Sequence, residues 1–252
     1  MKEEFLSHQK IYQRPVLAFS IFMVAITGAM IIWLWIQHQE KDSPMSGGIA
    51  KSLRKGLSVN QELFSATFSS SNLAKTYPKS QAVKSVRVNG DVGMGDDFDA
   101  SKWMLHLVKT NGDTLSITMD DIKKLPKTEE VFDFKCIEGW SQKTWWGGVK
   151  FSDFVHYFHL ENETALKYVG LETPDEEYYV GIDMPSIMHP QTLLCYEMNG
   201  KPLPMNQGYP LRLIIPVKYG IKHLKRIGTI YFSNNQPADY WAERGYDYYA
   251  GH

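Results

Sequence analysis

The sequence predicts an α+β protein with several mixed sheets, preceded by one transmembrane helix. Three observations lead there. A long stretch near the N-terminus carries no charge, strand-like runs recur between Pro and Gly punctuation, and the helical patterns are short. Strands and helices do not alternate regularly, and no glycine-rich nucleotide loop or internal repeat is present. These absences exclude a Rossmann arrangement and a repeat protein.

From Pro15 to Gln37 almost every residue is apolar, with Thr27 and Gly28 as relief within 21–36. At ~1.5 Å per residue such a run reaches the ~30 Å hydrocarbon thickness of a bilayer. Tyr12 on one side, with Trp33 and Trp35 on the other, fits interfacial anchoring. A cleaved signal peptide is the competing reading, with small residues at Ser46, Gly47 and Gly48. Its apolar core is normally shorter, about 7–15 residues, which favours a retained single-span anchor. Basic residues flank both ends (Lys2, Lys10 and Arg14 before, Lys41, Lys51, Arg54 and Lys55 after), so they do not set the orientation.

The chain therefore divides into an N-terminal flank (1–14), an anchor (15–37), a polar tether and lead-in (38–82) and a folded domain (83–252), with 40–56 read as plain linker. Within the domain, 86–88 reads as a strand ending at an Asn89-Gly90 turn. Trp103, Leu105 and Leu107 alternate with Met104, His106 and Val108, and Asn111-Gly112 predicts a hairpin to 115–118. Thr118 with Asp121 predicts a helix start before Pro126. Ser152 is a candidate cap for a helix carrying Phe154, Val155 and Phe158. Further strands are expected at 168–171, 179–182, 193–198, 211–215 and 227–232.

A formal net charge of -1 argues against a nucleic-acid partner, since such binding rests on neutralising phosphates. The only cysteines are Cys136 and Cys195, without paired Cys/His spacing, so an ordinary zinc site is not expected. Cys136 follows a strand-like stretch (Val131, Phe132, Phe134) and enters a segment rich in Gly139, Trp140, Trp145, Trp146, Gly147 and Gly148. A thiolate is a soft metal ligand, glycines let backbone approach a bulky group, and tryptophans can wall off a dry pocket. A buried small hydrophobe is the plainer reading of such a cysteine.

Cys136-Ile137-Glu138-Gly139-Trp140-Ser141, with Trp146 downstream, resembles the catalytic subunits of bacterial protein-methionine-sulfoxide reductases. Leu194-Cys195-Tyr196-Glu197-Met198-Asn199-Gly200-Lys201-Pro202-Leu203-Pro204, Gly208-Tyr209-Pro210-Leu211-Arg212-Leu213 and Lys218-Tyr219-Gly220-Ile221-Lys222-His223-Leu224-Lys225 resemble the sulfite oxidases. These blocks keep the order of the sulfite oxidase family across roughly residues 83–232. The resemblance implies a sulfite-oxidase-type molybdopterin-binding fold and a molybdenum-molybdopterin cofactor. It implies Cys136 as the metal ligand, and Thr173, Gln207, Arg212, His223, Leu224 and Lys225 as cofactor contacts. Tyr178 falls where sulfite oxidases place a tyrosine near the metal.

Each residue also has a plain alternative: a salt-bridged strand arginine for Arg212, a solvated basic face for Lys218 to Lys225, a strand-end cap for Thr173, a surface aromatic for Tyr178. Gln207 replaces the Asn or His of relatives. Glu138-Gly139-Trp140 stands where sulfite oxidases continue with arginines, so a neutral sulfoxide or other small oxo acceptor fits better than sulfite. The expected function is oxygen-atom transfer on a small substrate by an anchored oxidoreductase. An anchored non-enzymatic binding module and a sulfite oxidase proper are the alternatives. With no haem-attachment Cys-x-x-Cys-His run, electrons pass to another protein, for which a membrane cytochrome is the expectation. The resemblance places the domain outside the cytoplasm.

Overall fold

The computed structural model describes residues 2–41 and 49–252, with side chains from Pro15 onward. It forms two compact units, Met1–Gly56 and Leu57–His252. Tyr12 and the small residues 46–48, invoked above for anchoring and cleavage, lie outside the described side chains and residues.

In the first unit, helix α1 spans Lys2–Gln37 with Pro15 inside it. Its stretch Pro15–Gln37 has a mean hydropathy of 2.3 and is long and apolar enough to cross a membrane. Leu17, Phe22 and Trp33 are all exposed, so these apolar side chains are not covered by protein. Helix α2 (Lys51–Thr67) begins in this unit and corrects the plain-linker reading of 40–56. Leu53, Leu57 and Phe64 fall on one helical stripe. Averaging over a polar window hides that spacing.

The second unit holds two sheets. The first has the strands β1 (Leu105–Val108), β2 (Thr114–Ile117), β5 (Tyr168–Glu172), β6 (Tyr179–Asp183) and β10 (Thr229–Ser233), in the order β2-β1-β10-β5-β6. Only the β1–β10 pair is parallel. The second sheet runs β3 (Lys127–Lys135), β4 (Ser141–Lys150), β7 (Leu193–Met198) and β8 (Lys201–Pro202), with β9 (Arg212–Ile214) also paired to β7. Alternation sets the faces: Leu105 and Leu107 are buried while His106 is exposed. Leu105, Leu107, Val169, Leu171, Val180, Ile182 and Ile230 of the first sheet share one core with Val149, Leu194 and Leu213 of the second. The core thus lies between the sheets. Phe132, Trp146, Leu193, Cys195 and Ile214 form a smaller cluster, so β7 is buried on both faces.

The β1–β2 hairpin appears as the Asn111-Gly112 signal predicts, with Gly112 at φ +90°. Helix α3 (Met119–Ile122) has the full capping box, Thr118 and Asp121 each accepting from the other's backbone N–H.

Two local expectations are corrected. Residues 86–88 are not a strand: the Arg87 N–H donates to the Gln142 side chain rather than to a backbone ladder. They belong to an irregular strap that starts at the Thr76–Phe132 bridge and bonds from the Val83 N–H to the Lys143 carbonyl. Helix α4 (Phe151–Tyr157) starts two residues earlier than expected, with Lys150 at the cap position and Ser152 inside its first turn. Fully buried Phe151 sets that start, and its N–H donates to the Thr192 carbonyl.

Candidate active site

Strands β3 and β4 pair without interruption from Lys127↔Val149 to Lys135↔Ser141, leaving residues 136–140 as the hairpin loop. Gly139 donates to the Cys136 carbonyl at 3.0 Å with φ +89°, a left-handed conformation that suits glycine. The Cys136 N–H donates to the Trp140 carbonyl at 2.9 Å. This tight loop holds Cys136 at the tip of a rigid hairpin, buried to 7 % exposure.

The loop faces one cleft of ≈ 800 Å³, with solvent at its mouth included. Cys136, Tyr178, Arg212, His223 and Lys225 all line it. They arrive from four places: the hairpin tip, the β5–β6 connection, the first residue of β9, and the segment after Gly220–Lys222. The strap supplies Asn89, Gly90 and Val92, and the C-terminal segment supplies Trp241 and Tyr246.

Asn89 places its Nδ2 3.7 Å from the Cys136 Sγ and 3.2 Å from Glu138 Oε2. Glu138 also accepts from the Trp140 indole N–H at 3.0 Å. These donors, Trp140 foremost, hold its pKa below the ordinary carboxylate value, so it is anionic at neutral pH. Burial, with the Glu138 charge also acting, pushes the Cys136 thiol up. Metal binding at that sulfur therefore has to displace a proton.

Four basic side chains in this region sort into two kinds. Lys218 and Lys222 are paired with Asp183 and Asp239 respectively. Both are fully buried, which corrects the solvated-face alternative for them. Arg212 and Lys225 are different. Arg212 NH1 donates to the Gln207 backbone and side-chain oxygens, each at 3.0 Å, and its NH2 to the His223 carbonyl at 3.4 Å. Lys225 Nζ donates to the carbonyls of Asn89, Gly90 and Asn206. Every acceptor these two cations meet is a neutral amide oxygen. Burial lowers Arg212 to about 10 and, with Arg212 adding to it, Lys225 to about 7. The two cations without a carboxylate are the two that line the cleft.

His223 is neutral, its pKa pushed down to about 3 by burial and then by Arg212. Its Nε2 lies 3.1 Å from the Lys218 carbonyl, which makes Nε2 the protonated nitrogen and Nδ1 an acceptor. His223 therefore contributes no charge to anion binding. Among the described residues, Nδ1 is buried with no partner, as is Arg212 Nε. Tyr178 donates its hydroxyl to the Ile221 carbonyl at 2.6 Å, and burial raises its pKa, so it stays protonated.

Three expected contacts do not line the cleft. The Thr173 hydroxyl donates to Asp175 and accepts from the Tyr178 N–H, organising the β5–β6 turn. Gln207 stands behind Arg212, accepting from it and donating to the Arg87 carbonyl at 3.2 Å. Leu224 is core, its carbonyl accepting from the Leu213 N–H. Each positions a lining residue rather than facing the opening. Asn89, Trp241 and Tyr246 were missed by the sequence reading. Asn89 reads as an ordinary turn residue, and the only signal for the other two is the density of aromatics in 240–249.

A pterin cofactor requires a soft ligand for its metal, cations for its phosphate and polar partners for its ring edges. The cleft offers a thiol, two cations bonded only to neutral oxygens, and a donor and an acceptor left unpartnered. The residues fit that group. Cys195 is not part of this set: it is free, fully buried on β7, and burial pushes its thiol up to about 12.

Comparison with known proteins gives the same assignment. Residues 92–241 match the model of the oxidoreductase molybdopterin binding domain. A putative protein-methionine-sulfoxide reductase subunit YedZ1 from Azospira oryzae is 33% identical over 186 residues, which is 73% of this chain and 70% of that one. The protein-methionine-sulfoxide reductase catalytic subunit MsrP of Campylobacter jejuni is 31% identical over 63% of this chain. This chain spans only 59% of that protein's length. The sulfane dehydrogenase SoxCD from Paracoccus pantotrophus shares the fold, with a TM-score of 0.50 at 18% identity over 56% of this chain and 40% of that one. The chain belongs to the oxidoreductase molybdopterin-binding domain family, the molybdenum-cofactor enzymes of sulfite oxidase type, and is an oxidoreductase.

Proposed function

We propose that this chain is a membrane-anchored catalytic subunit that reduces a neutral sulfoxide, with methionine sulfoxide in proteins as the preferred class. The carrying observation is the distribution of charge around Cys136. Glu138, two residues away and anionic, stands beside the thiol, while Arg212 and Lys225 are bonded to main-chain and amide oxygens and suit the cofactor's phosphate. A sulfite dianion near Cys136 would meet that carboxylate, whereas a sulfoxide carries no net charge. The names of the Azospira and Campylobacter relatives point to the same substrate class.

In this reading Cys136 would ligate molybdenum, Arg212 and Lys225 would hold the pterin phosphate, and His223 would offer the pterin a neutral acceptor. Thr173, Gln207 and Leu224 fix the residues that do the holding. The bound cofactor supplies two-electron oxygen-atom exchange. Overall, sulfoxide, two protons and two electrons give thioether and water. Tyr178 stays protonated and presents its oxygen to the cleft as an acceptor. The electrons come from a separate protein, for which a membrane haem protein is the candidate. Residues 15–37 hold the domain, taken as 83–252, at the bilayer on the extracytoplasmic side.

Metal and pterin analysis of the matured wild type and of Cys136→Ser tests this, together with turnover of dimethyl sulfoxide, a methionine-sulfoxide peptide and sulfite. Molybdenum in the wild type, its loss in Cys136→Ser and preference for the sulfoxides are expected. Metal retained in Cys136→Ser refutes the ligand assignment, and preference for sulfite refutes the substrate class.

A further inference from the structure

The C-terminal segment contributes two aromatic side chains, Trp241 and Tyr246, to the same cleft as Cys136. The position of these rings is fixed with unusual redundancy for a loop. Asp239, at the head of the turn, forms a buried pair with Lys222 and accepts from the N–H groups of Gly181 and Ala242. The Glu243 N–H donates to the Asp239 carbonyl at 3.0 Å, and Glu243 in turn accepts from the Tyr179 hydroxyl. The Tyr240 N–H donates to the Tyr179 carbonyl, tying the turn to the edge strand β6. The Trp241 carbonyl accepts from Arg244 and Tyr246, and Gly245 at φ +98° lets the chain fold back. As a result the Trp241 and Tyr246 rings meet edge to face, with centroids 5.0 Å apart.

Most polar groups of this turn are spent on holding it, and what it offers the cleft is ring surface. Tyr246 is 40% exposed and Ile137, in the Cys136 loop, is 37% exposed. Trp241, on the same cleft, is less exposed than either. Aromatic faces of this kind attract thioether and alkyl groups through sulfur–aromatic and apolar contact, and give nothing to a small polar molecule.

We infer that Trp241 and Tyr246 form a substrate-selecting wall that grips the alkyl arm of a methionine-type sulfoxide. The inference rests on the sulfoxide reading above and deepens it, assigning discrimination among sulfoxides to a segment remote in sequence from the metal ligand. Dimethyl sulfoxide has no arm to reach the wall, whereas the methionine side chain does.

The test uses the molybdenum-loaded full chain with a reduced dye as electron source. The quantity read is the ratio of kcat/KM for N-acetyl-methionine-sulfoxide methylamide to that for dimethyl sulfoxide, in wild type, Trp241→Ala and Tyr246→Ala. Each substitution is expected to lower the ratio by about fourfold, the value of removing one methylene of the arm from water. Should Trp241→Ala fail to load metal, Tyr246→Ala, at an exposed ring, carries the test. An unchanged ratio in a chain that reduces both sulfoxides overturns the wall and leaves the function standing. A fully loaded wild type that reduces neither overturns the function and the wall together.

Discussion

Replacing Arg212 with Met tests the assignment of the cleft through two effects of opposite sign. Arg212 is 2 % exposed and bonded only to neutral oxygens, and burial lowers its pKa from 12.5 to about 10. That displacement corresponds to roughly 3 kcal/mol of disfavoured charge. The sign follows from linkage. A base whose folded pKa is depressed is protonated in both states below about pH 10, so the full penalty is present at neutral pH. The cofactor-free Arg212→Met protein should thus be no less stable than wild type in urea, apart from the Gln207 oxygens left unpaired at about 1–3 kcal/mol. Cofactor binding should move the other way. Charge-assisted hydrogen bonds are worth about 1.5–3 kcal/mol each, so losing one or two lowers affinity by at least tenfold. Paired urea titrations of empty protein, with molybdenum and pterin content of matured protein, read both effects. Wild-type pterin retention in Arg212→Met would refute the reasoning, because it would mean the buried charge has no anionic partner in this cleft.

Lys225, lowered to about 7, predicts a pH slope: the unfolded chain binds the extra proton between pH 7 and about 10.5, so the cofactor-free protein gains stability as pH rises from 7. Lys225→Met should flatten that slope in urea midpoints taken from pH 6 to 9. Asp239→Asn leaves Lys222 buried without its carboxylate and should cost about 3–5 kcal/mol in urea, while the double change Asp239→Leu with Lys222→Met should recover most of it. Gly148 sits at the irregularity in β4–β7 pairing, where an added Cβ would lie 2.2 Å from the Leu194 carbonyl oxygen. Gly148→Ala should therefore part these strands and lower the thermal midpoint by several degrees for a loss of about 1–3 kcal/mol.

Features with local causes were legible in the sequence. The Asn111-Gly112 hairpin, the Thr118–Asp121 capping box and the β7 run depend on residues within a few positions of one another. Cys136, Tyr178, Arg212, His223 and Lys225 were named from sequence blocks and come together in one cleft. What could not be read depends on distant partners. Residues 86–88 look like a strand by composition, yet their neighbour is the Gln142 side chain, 55 positions on. Asn89 has no distinguishing local pattern, and only the strap's course brings it to Cys136. Gln207 was placed on the cofactor from the resemblance, but its amide is spent on Arg212 and the strap. β4 was read as pocket wall because it is dense in Trp and Gly. It is a full strand whose glycines let β7 approach.

The four basic residues between Arg212 and Lys225 show why charge in a sequence must be sorted by partner before it is given a role. Lys218 and Lys222 are as buried as Arg212, although the sequence presents them only as part of a basic cluster. Both instead carry carboxylates, and Lys222–Asp239 is the pair that fixes the C-terminal turn beside the cleft. One short basic stretch thus performs two tasks with the same residue type. Lys222 holds the turn on which Trp241 and Tyr246 are mounted, and Lys225, without a carboxylate, joins Arg212 in lining the cleft. Glu138 places the opposite charge beside the thiol. A cleft with cations bound to neutral oxygens at one set of residues and a carboxylate at another favours an anionic cofactor and a neutral substrate together, which neither residue type would select alone.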